Sequence, residues 1–175
     1  MPYLIRHTTP AIAKGICYGQ ADLEVTDSFD QEASTIMRQI AQTPPIIYSS
    51  PLLRCKKLAI HLGEAFGIKE IYYEEALREM NFGTWELQKW NDIPENILQP
   101  WMDDFVNIQV PDGESFSILH QRVQAWWLSK ISLEENALIV SHAGPIRSIL
   151  SAMYETPLKE AFTLYPMSYG ALFKI

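Results

Sequence analysis

The chain has 175 residues, of which 47% are hydrophobic and 20% charged, a composition typical of one soluble globular domain with a buried core. Its formal net charge of −7 argues against a general nucleic-acid surface. No stretch approaches the roughly 18 apolar residues of a membrane span, and the amino terminus lacks a signal-peptide pattern, so we expect a cytoplasmic protein.

The first half of the chain alternates apolar runs, which predict strands, with segments of helical periodicity. The predicted strands are 2–6, 46–49 and 71–73. The apolar positions of the two predicted helices are Ala33, Ile36, Met37 and Ile40 in the first, and Cys55, Ala59, Leu62 and Phe66 in the second. We predict that Pro44-Pro45 ends the first helix. Ser50 is predicted to cap the second helix, with Pro51 at its first position and Gly67 at its end.

The second half begins with residues 80–113, a Trp-rich stretch interrupted by Pro, in which we predict short helices and loops. A helix is predicted next, with its apolar positions at Phe116, Leu119, Val123 and Trp126 or Trp127. Residues 137–140 form a continuous apolar run, a helix through Ile146 and Leu150 follows, and residues 170–175 predict a last strand. Apolar strands that alternate with helices predict an α/β fold, a three-layer α/β/α sandwich with a mostly parallel central sheet.

Polar side chains stand at the ends of three predicted strands. They are Arg6-His7, Ser49-Ser50 with Arg54 one turn later, and Ser141-His142. Because ligands of open α/β sheets bind beyond the carboxyl ends of the strands, we expect these groups to converge at one rim. Two arginines, two histidines and the free N–H groups of helix N-termini predict a site for an anion there.

Five motifs follow one another along the chain: LIRHTTP, SSPLLRC, LREMNFGTWE, PDGESF and VSHAGPIR. In this order and spacing they resemble the histidine phosphatase superfamily, also called phosphoglycerate mutase-like proteins. The segments GICYGQADLEVT and FGTWE are most similar to its α-ribazole phosphatase branch. The resemblance implies a phosphoglycerate mutase-like fold and a single histidine phosphatase domain over residues 1–175, with 80–113 as an irregular cap on the substrate side.

The resemblance implies that His7 attacks the phosphorus atom and becomes a phosphohistidine, which water then hydrolyses. Neighbouring cations favour a neutral imidazole, and Arg6 and Arg54 supply them. Both guanidinium groups also suit forked hydrogen bonds to phosphoryl oxygens. His142 completes the predicted pocket and, when protonated, would donate to the oxygens as negative charge shifts.

Glu79 occupies the position of the family's general acid, which gives a proton to the leaving alkoxide. Glu86 lies close by in the sequence, and we keep it as the alternative. We expect no cofactor and no metal, because the chain carries no metal-ligand pattern. Cys17 and Cys55 form no CxxC pair, which fits a reducing compartment, and Cys55 falls on an apolar stripe typical of core packing.

The chain departs from the family pattern at several positions. Thr8 stands where most members have Gly, and Ile12 or Ala13 stands where they have an Asn that reaches the phosphate. Neither Ile nor Ala can donate a side-chain hydrogen bond. We predict that Trp85 and Trp90 belong to the core, with a role in the wall of a substrate pocket as the alternative.

We therefore predict a phosphomonoesterase acting on a small phosphorylated metabolite, with α-ribazole 5′-phosphate of cobalamin nucleotide-loop synthesis as the leading substrate. The alternatives are a phosphohistidine protein phosphatase and a non-catalytic phosphate-binding protein. No nucleic-acid or membrane partner is expected. We favour a phosphatase over a mutase because Lys89 and His120 are the only basic residues between Arg78 and Arg122, so a second phosphate would find few partners there.

Overall fold

The computed structural model describes residues 2–130 and 136–175. Its strands are β1 Tyr3–Arg6, β2 Ile46–Ser49, β3 Glu70–Tyr73, β4 Ala137–Ser141 and β5 Leu172–Lys174. Its α-helices are α1 Phe29–Met37, α2 Leu53–Phe66, α3 Glu95–Asp103, α4 Phe116–Lys130, α5 Ala143–Met153 and α6 Ala161–Leu164. The predicted alternation of strands and helices is confirmed.

The strands form one sheet in the order β3-β2-β4-β1-β5. The first four strands of that order are parallel, and β5 runs antiparallel to β1 at one edge. The register aligns Arg6 with Ser141 and Ser49 with Val140. Therefore β1, β2 and β4 end at the same level, and the groups that follow them lie on one rim of the sheet.

Both faces of the sheet are covered, which confirms the three-layer α/β/α sandwich. Successive residues of a strand face opposite layers, so Leu4 and Ile5 belong to two separate clusters of buried side chains. On one face Ile5 packs with α1 and α2, represented by Ile36 and Leu58. On the other face the buried residues of α4 and α5 include Leu119. Burial of each such side chain contributes about 1.5–3 kcal/mol.

The first helix ends earlier than the sequence pattern indicates. α1 stops at Met37, so Pro44-Pro45 does not end it, and Ile40 lies beyond the helix although it is buried. The backbone N–H of Ile40 bonds to the carbonyl oxygen of Met37, three residues back, which tightens the chain into a turn. This turn returns Ile40 to the core, so helical spacing continues in the sequence after the helix has ended.

The second helix begins later than predicted. α2 starts at Leu53, after an extended Leu52, so Ser50 is not its cap and Pro51 is not its first residue. The Ser50 hydroxyl instead accepts the Leu52 N–H and lies 2.8 Å from the imidazole of His142. The end of the helix agrees with the sequence, because Gly67 adopts the left-handed conformation at φ 69°.

Residues 80–113 contain α3 and two short 3-10 turns, at Gly83–Trp85 and Trp90–Asp92. The last strand is shorter than the predicted 170–175, because Gly170, at φ 70°, belongs to a turn that precedes β5. Within the described residues, no helix combines the length and the apolar character needed to cross a membrane.

Candidate active site

β1 places His7 at the rim of the sheet, where it is buried with 1% of its surface exposed. Its Nδ1 atom lies 2.6 Å from the carbonyl oxygen of Thr8. A carbonyl oxygen only accepts, so Nδ1 carries the proton and Nε2 keeps a free lone pair. Arg54 donates its Nε–H to that lone pair over 3.3 Å. The Nε2 atom is therefore the nucleophilic end of the ring.

Burial, followed by the guanidinium groups of Arg54 and Arg6, holds the pKa of His7 well below its usual value. The charged imidazolium would lose its hydration and face two cations, so the neutral ring is favoured at neutral pH. Arg6 itself is held from the far end of the chain, because it donates to the Met167 carbonyl oxygen and stacks over the Tyr169 ring at 4.1 Å.

Arg54 is fully buried in the first turn of α2. Besides its bond to His7, its guanidinium donates to the carbonyl oxygens of Ala21 at 2.8 Å and Gly19 at 2.5 Å. These contacts fix the direction in which the side chain points. The position of Arg54 thus depends on the conformation of residues 19–21, a segment more than 30 residues away in the sequence.

Glu86 holds that segment in place. Its carboxylate accepts the backbone N–H groups of Gly19, Gln20 and Ala21 at 2.8–3.1 Å, and also that of Phe82. The Glu86 carboxylate is thus surrounded by four backbone N–H groups and is not part of the cavity at the carboxyl edge of the sheet, whereas Glu79 lines that cavity. This geometry favours Glu79 over Glu86 for contact with a substrate.

His142 lies between the end of β4 and the start of α5, and its ring centroid is 5.0 Å from that of His7. Its Nε2 atom is 2.8 Å from the Ser50 hydroxyl and 3.4 Å from the Sγ atom of Cys55. Burial, with Arg54 as the next cause, lowers the pKa of His142 well below its usual value. His142 is therefore neutral in the free site, and the predicted donation from a protonated ring requires an anion bound beside it.

Cys55 is buried as the sequence pattern predicts, and its thiol packs under His142. Burial raises the pKa of this thiol far above its usual value, so the sulfur stays protonated.

Glu79 follows a 3-10 turn at Glu75–Leu77, and its carboxylate meets the N-terminus of α5. Its Oε1 atom accepts the backbone N–H groups of Met80 at 3.0 Å and Gly144 at 3.1 Å. A β-carbon on Gly144 would lie 2.3 Å from Oε1, so only glycine lets the carboxylate sit there. This close approach fixes Glu79 at the N-terminus of α5, in the wall of the cavity that Arg6 and His7 also line.

The carboxyl edge of the sheet opens into a cavity of about 320 Å³. Arg6, His7 and Glu79 form its polar end. The rest of the wall is mainly aromatic, from Tyr18, Phe82, Trp101, Phe105, Phe116 and Phe162. Such a volume is that of a small-molecule site, and Arg54 and His142, which are fully buried, contact His7 from the protein interior.

Trp101 is the tryptophan in this wall, so the alternative that placed Trp85 and Trp90 there is wrong. Trp85 is buried with 2% exposed, and Trp90 stacks on the Trp101 ring at 5.9 Å and 21°. Trp101 reaches the cavity because α3 packs it against the neighbouring rings of Phe82 and Phe105, an orientation that local sequence pattern does not determine. Its Nε1–H is buried and has no hydrogen-bond partner among the described residues.

Arg147, one turn into α5, also lines the cavity, and the sequence analysis missed it. Its Nε–H donates to the Tyr165 carbonyl oxygen at 3.2 Å, and its Cζ atom lies 4.6 Å from the centre of the Phe162 ring. In the described part of the chain it forms no ion pair. Arg147 lies outside the stretch between Arg78 and Arg122, where few basic side chains occur, although the VSHAGPIR motif itself ends on this arginine.

Among the residues that the structure describes, no group of three or more His, Cys, Asp or Glu side chains is arranged to hold a metal ion.

A three-layer α/β/α fold with two arginines and two histidines gathered at the carboxyl edge of its sheet is that of a phosphoglycerate mutase-like protein. The structure of the alpha-ribazole phosphatase from Shigella flexneri matches it with a TM-score of 0.88 at 22% identity, over 98% of this chain and 87% of that one. The family model of the histidine phosphatase superfamily (branch 1) matches residues 2–174. The chain belongs to this superfamily.

Its relatives carry several names. A protein of Hydrogenobacter thermophilus, "Putative phosphoserine phosphatase 2", is 28% identical over 96% of this chain and 85% of its own length. A "Probable phosphoglycerate mutase" of Salmonella arizonae is 30% identical over 89% of this chain and 75% of its own. The "Adenosylcobalamin/alpha-ribazole phosphatase" of Salmonella typhimurium is 27% identical, covering 89% and 80%.

Proposed function

We propose that the chain hydrolyses phosphate monoesters of small metabolites through a phosphohistidine on His7. The observation that carries this proposal is the state of the His7 ring, whose Nδ1–H is fixed by the Thr8 carbonyl while Nε2 offers a lone pair. Burial, followed by the positive charges of Arg54 and Arg6, keeps the ring neutral. The Nε atom of Arg6 is buried without a hydrogen-bond partner among the described residues, which suits a donor to a phosphoryl oxygen.

In the first step, His7 Nε2 attacks phosphorus, and the bond between phosphorus and the ester oxygen breaks. The carboxyl group of Glu79 gives its proton to the departing oxygen. The Arg54 Nε–H leaves Nε2 and turns to a phosphoryl oxygen, beside Arg6. His142 takes up a proton from solvent when the dianion binds beside it and gives that proton back to solvent when phosphate leaves. In the second step, water attacks phosphorus, Glu79 takes its proton, and the P–N bond breaks to return neutral His7 and phosphate.

α-Ribazole 5′-phosphate, from cobalamin nucleotide-loop synthesis, is the first substrate that we propose. The supporting observation is the aromatic wall next to Arg6, His7 and Glu79, which suits a benzimidazole riboside. The relative named adenosylcobalamin/alpha-ribazole phosphatase adds to this support. We assign the activity to one histidine phosphatase domain, with residues 80–113 as the cap over the leaving group.

A second candidate is a monoester that carries a carboxylate, such as phosphoserine. Arg147 favours it, because this cation lines the cavity without an ion-pair partner in the described residues. A guanidinium suits a carboxylate through two parallel hydrogen bonds. One relative bears the name phosphoserine phosphatase. Arg147 also corrects the earlier argument that a second anion would find few partners.

The test is hydrolysis of α-ribazole 5′-phosphate, phosphoserine, phosphoethanolamine and 3-phosphoglycerate, followed separately by ³¹P NMR. We expect free phosphate and no isomer from 3-phosphoglycerate. Efficient isomerisation without phosphate release would contradict a phosphatase and indicate a mutase. Hydrolysis of none of the four, nor of an aryl phosphate, would support a non-catalytic phosphate-binding protein.

Arg147→Gln separates the two substrates. If phosphoserine is the substrate, this variant should lose about 10-fold or more of kcat/KM on phosphoserine and little on phosphoethanolamine, which lacks the carboxylate. Arg38→Gln, which removes the same charge from an exposed position after α1, should change neither. Preference for α-ribazole 5′-phosphate in all three proteins would favour the first candidate.

A further inference from the structure

Two tyrosines that the mechanism does not use meet beside His7. The hydroxyl oxygens of Tyr18 and Tyr169 are 2.6 Å apart, although 151 residues separate them in the sequence. Tyr18 belongs to the cavity wall, next to Arg6 and His7. The pair therefore joins a tyrosine of the cavity wall to a second hydroxyl group just outside that wall.

Both rings are held against the cations of the site. The guanidinium of Arg6 lies 4.1 Å over the ring of Tyr169, and that of Arg54 lies 5.5 Å from the ring of Tyr18. The Tyr169 ring centroid is 5.7 Å from that of His7. A main-chain bond from Gly170 to the His7 carbonyl oxygen ties the Tyr169 segment to the end of β1. The hydroxyl pair is thus fixed relative to the nucleophile.

The two tyrosines have one O–H donor that their mutual hydrogen bond does not use. Two phenols carry two O–H groups, and their mutual hydrogen bond uses one of them. In the part of the chain that the structure describes, neither hydroxyl has another hydrogen bond. Burial, together with the bond from Tyr169, raises the pKa of Tyr18 far above its usual value, so the Tyr18 hydroxyl keeps its proton at physiological pH. A neutral donor attracts an anion without adding a negative charge.

The chain lacks one side-chain donor that the resemblance leads us to expect near the phosphate. Where most superfamily members have an Asn that reaches the phosphate, this chain has Ile12, half-buried, or Ala13, exposed, and both are apolar. We propose that the Tyr18–Tyr169 hydroxyl pair binds the phosphoryl group, with Tyr18 O–H as the donor and Tyr169 O–H bonded to the Tyr18 oxygen. This inference rests on the proposed function, since it names a further phosphate-binding group of the same site.

The proposed order of donors follows from position. Tyr18 lines the cavity that holds His7 and Glu79, whereas Tyr169 does not. Donation from Tyr169 to the Tyr18 oxygen polarises the Tyr18 O–H and strengthens its bond to an acceptor. The two hydroxyls therefore make unequal contributions. Loss of Tyr18 O–H removes the bond to phosphate, whereas loss of Tyr169 O–H only weakens it.

The experiment measures binding of inorganic phosphate and orthovanadate by the whole chain, directly by calorimetry and as inhibition of p-nitrophenyl phosphate hydrolysis. The variants are Tyr18→Phe, Tyr169→Phe and the double variant, all of which keep both rings. Hydrogen bonds to charged groups are worth about 1.5–3 kcal/mol, so Tyr18→Phe should weaken phosphate binding roughly 10- to 100-fold. Tyr169→Phe should weaken it less than 5-fold, and the double variant should resemble Tyr18→Phe.

Tyr72→Phe is the matched control, because it removes a hydroxyl from β3 at the far edge of the sheet. Unchanged phosphate binding in Tyr18→Phe would overturn the inference. Equal and additive losses from both tyrosines would also overturn it, since they would indicate that the pair only positions Arg6. Tyr18→Phe could lower the thermal midpoint by more than a few degrees. In that case Tyr169→Phe and the double variant are compared at a temperature at which both are folded. If the double variant binds phosphate as tightly as Tyr169→Phe, the inference is overturned.

Binding and turnover separate this inference from the proposed function. If phosphate binds to the wild type and weakens in Tyr18→Phe while no monoester is hydrolysed, the hydroxyl pair is supported and the phosphatase proposal fails. If the wild type hydrolyses monoesters and Tyr18→Phe leaves phosphate binding unchanged, the phosphatase proposal is supported and the proposed role of the hydroxyl pair is wrong.

Discussion

At the scale of single residues, two short contacts determine the chemical state of His7. The Thr8 carbonyl takes the Nδ1 proton, and the Arg54 Nε–H meets the lone pair of Nε2. The Thr8 carbonyl oxygen by itself favours the imidazolium, but burial and then the positive charges of Arg54 and Arg6 outweigh it and hold the pKa of His7 well below its usual value. The ring is thus held neutral, as the proposed nucleophile requires, with its Nε2 atom facing the guanidinium of Arg54.

His7→Ala tests the nucleophile. Loss of a covalent nucleophile costs on the order of a million-fold in kcat where this has been dissected, and we expect a comparable loss here with the fold intact. Brief exposure of the wild type to phosphorylated substrate should trap an acid-labile, base-stable label on His7, located by mass spectrometry. His61→Ala, which removes a histidine of α2 that packs on Phe29, should keep full activity. A label found on His142 would reverse the roles of the two histidines.

Glu79→Gln tests the general acid. A general acid matters most when the leaving group is poor, so we expect a loss of roughly 100- to 10,000-fold on an alkyl phosphate. On p-nitrophenyl phosphate, whose leaving group needs no proton, the loss should be far smaller. Steady-state kinetics on both esters measure the difference, with Glu75→Gln at an exposed, Arg78-paired carboxylate as control. Equal losses on both esters would show that Glu79 only positions other groups.

At the scale of elements, the site depends on segments that carry no reacting group. Residues 19–21 direct Arg54 through two carbonyl oxygens, and Glu86 fixes that segment by accepting its three N–H groups. The start of α5 plays a similar part for Glu79, since the N–H of Gly144 holds its carboxylate. Each charged side chain of the site is therefore oriented by main-chain groups of another element.

Glu86→Gln tests the first of these supports. An amide brings N–H donors toward backbone N–H groups and leaves part of them unsatisfied, which costs about 1–3 kcal/mol in the free energy of unfolding. Because Arg54 then loses its fixed direction, activity should fall by the same factor on alkyl and nitrophenyl phosphates. Urea unfolding and kinetics on both esters check this. A loss confined to alkyl phosphates with unchanged stability would instead identify Glu86 as the general acid.

At the scale of the whole molecule, two buried histidines make folding sensitive to pH. The folded state holds the pKa of His7 and of His142 well below the usual value near 6.5, whereas the unfolded chain protonates both at about that pH. Below pH 6.5 the unfolded state therefore binds protons that the folded state does not. The stability of the fold must fall as pH decreases through that range.

We expect each of these histidines to cost roughly 1 kcal/mol of unfolding free energy between pH 6.5 and pH 5.5. Urea unfolding at the two pH values measures the loss for the wild type. His7→Gln carries one buried histidine fewer, so its loss over the same interval should be about 1 kcal/mol smaller. His61→Gln serves as the control outside the site. An equal pH dependence in wild type and His7→Gln would show that His7 is not held neutral by the fold.

The sequence by itself determined the layered fold and the residues at the strand ends. Continuous apolar runs such as 137–140 are stable only when both faces are covered, so the alternation of strands and helices predicts a covered parallel sheet. In such a sheet the carboxyl ends of the strands meet at one edge, which is why the sequence alone groups Arg6, His7, Arg54 and His142. These inferences rest on local pattern and on rules of chain topology.

Only the tertiary structure decided which side chains line the cavity and which of the two carboxylates belongs to its wall. The resemblance favoured Glu79 and kept Glu86 as the alternative, but the physical difference lies in the N–H groups of residues 19–21, which Glu86 accepts from more than 60 positions away. The sequence could not find Arg147, which reaches the cavity through the packing of α5, nor the contact of Tyr18 with Tyr169 across 151 positions. Pattern and propensity are local, whereas burial, electrostatic field and hydrogen-bond partners at a site come from residues that are distant in the chain and adjacent in space.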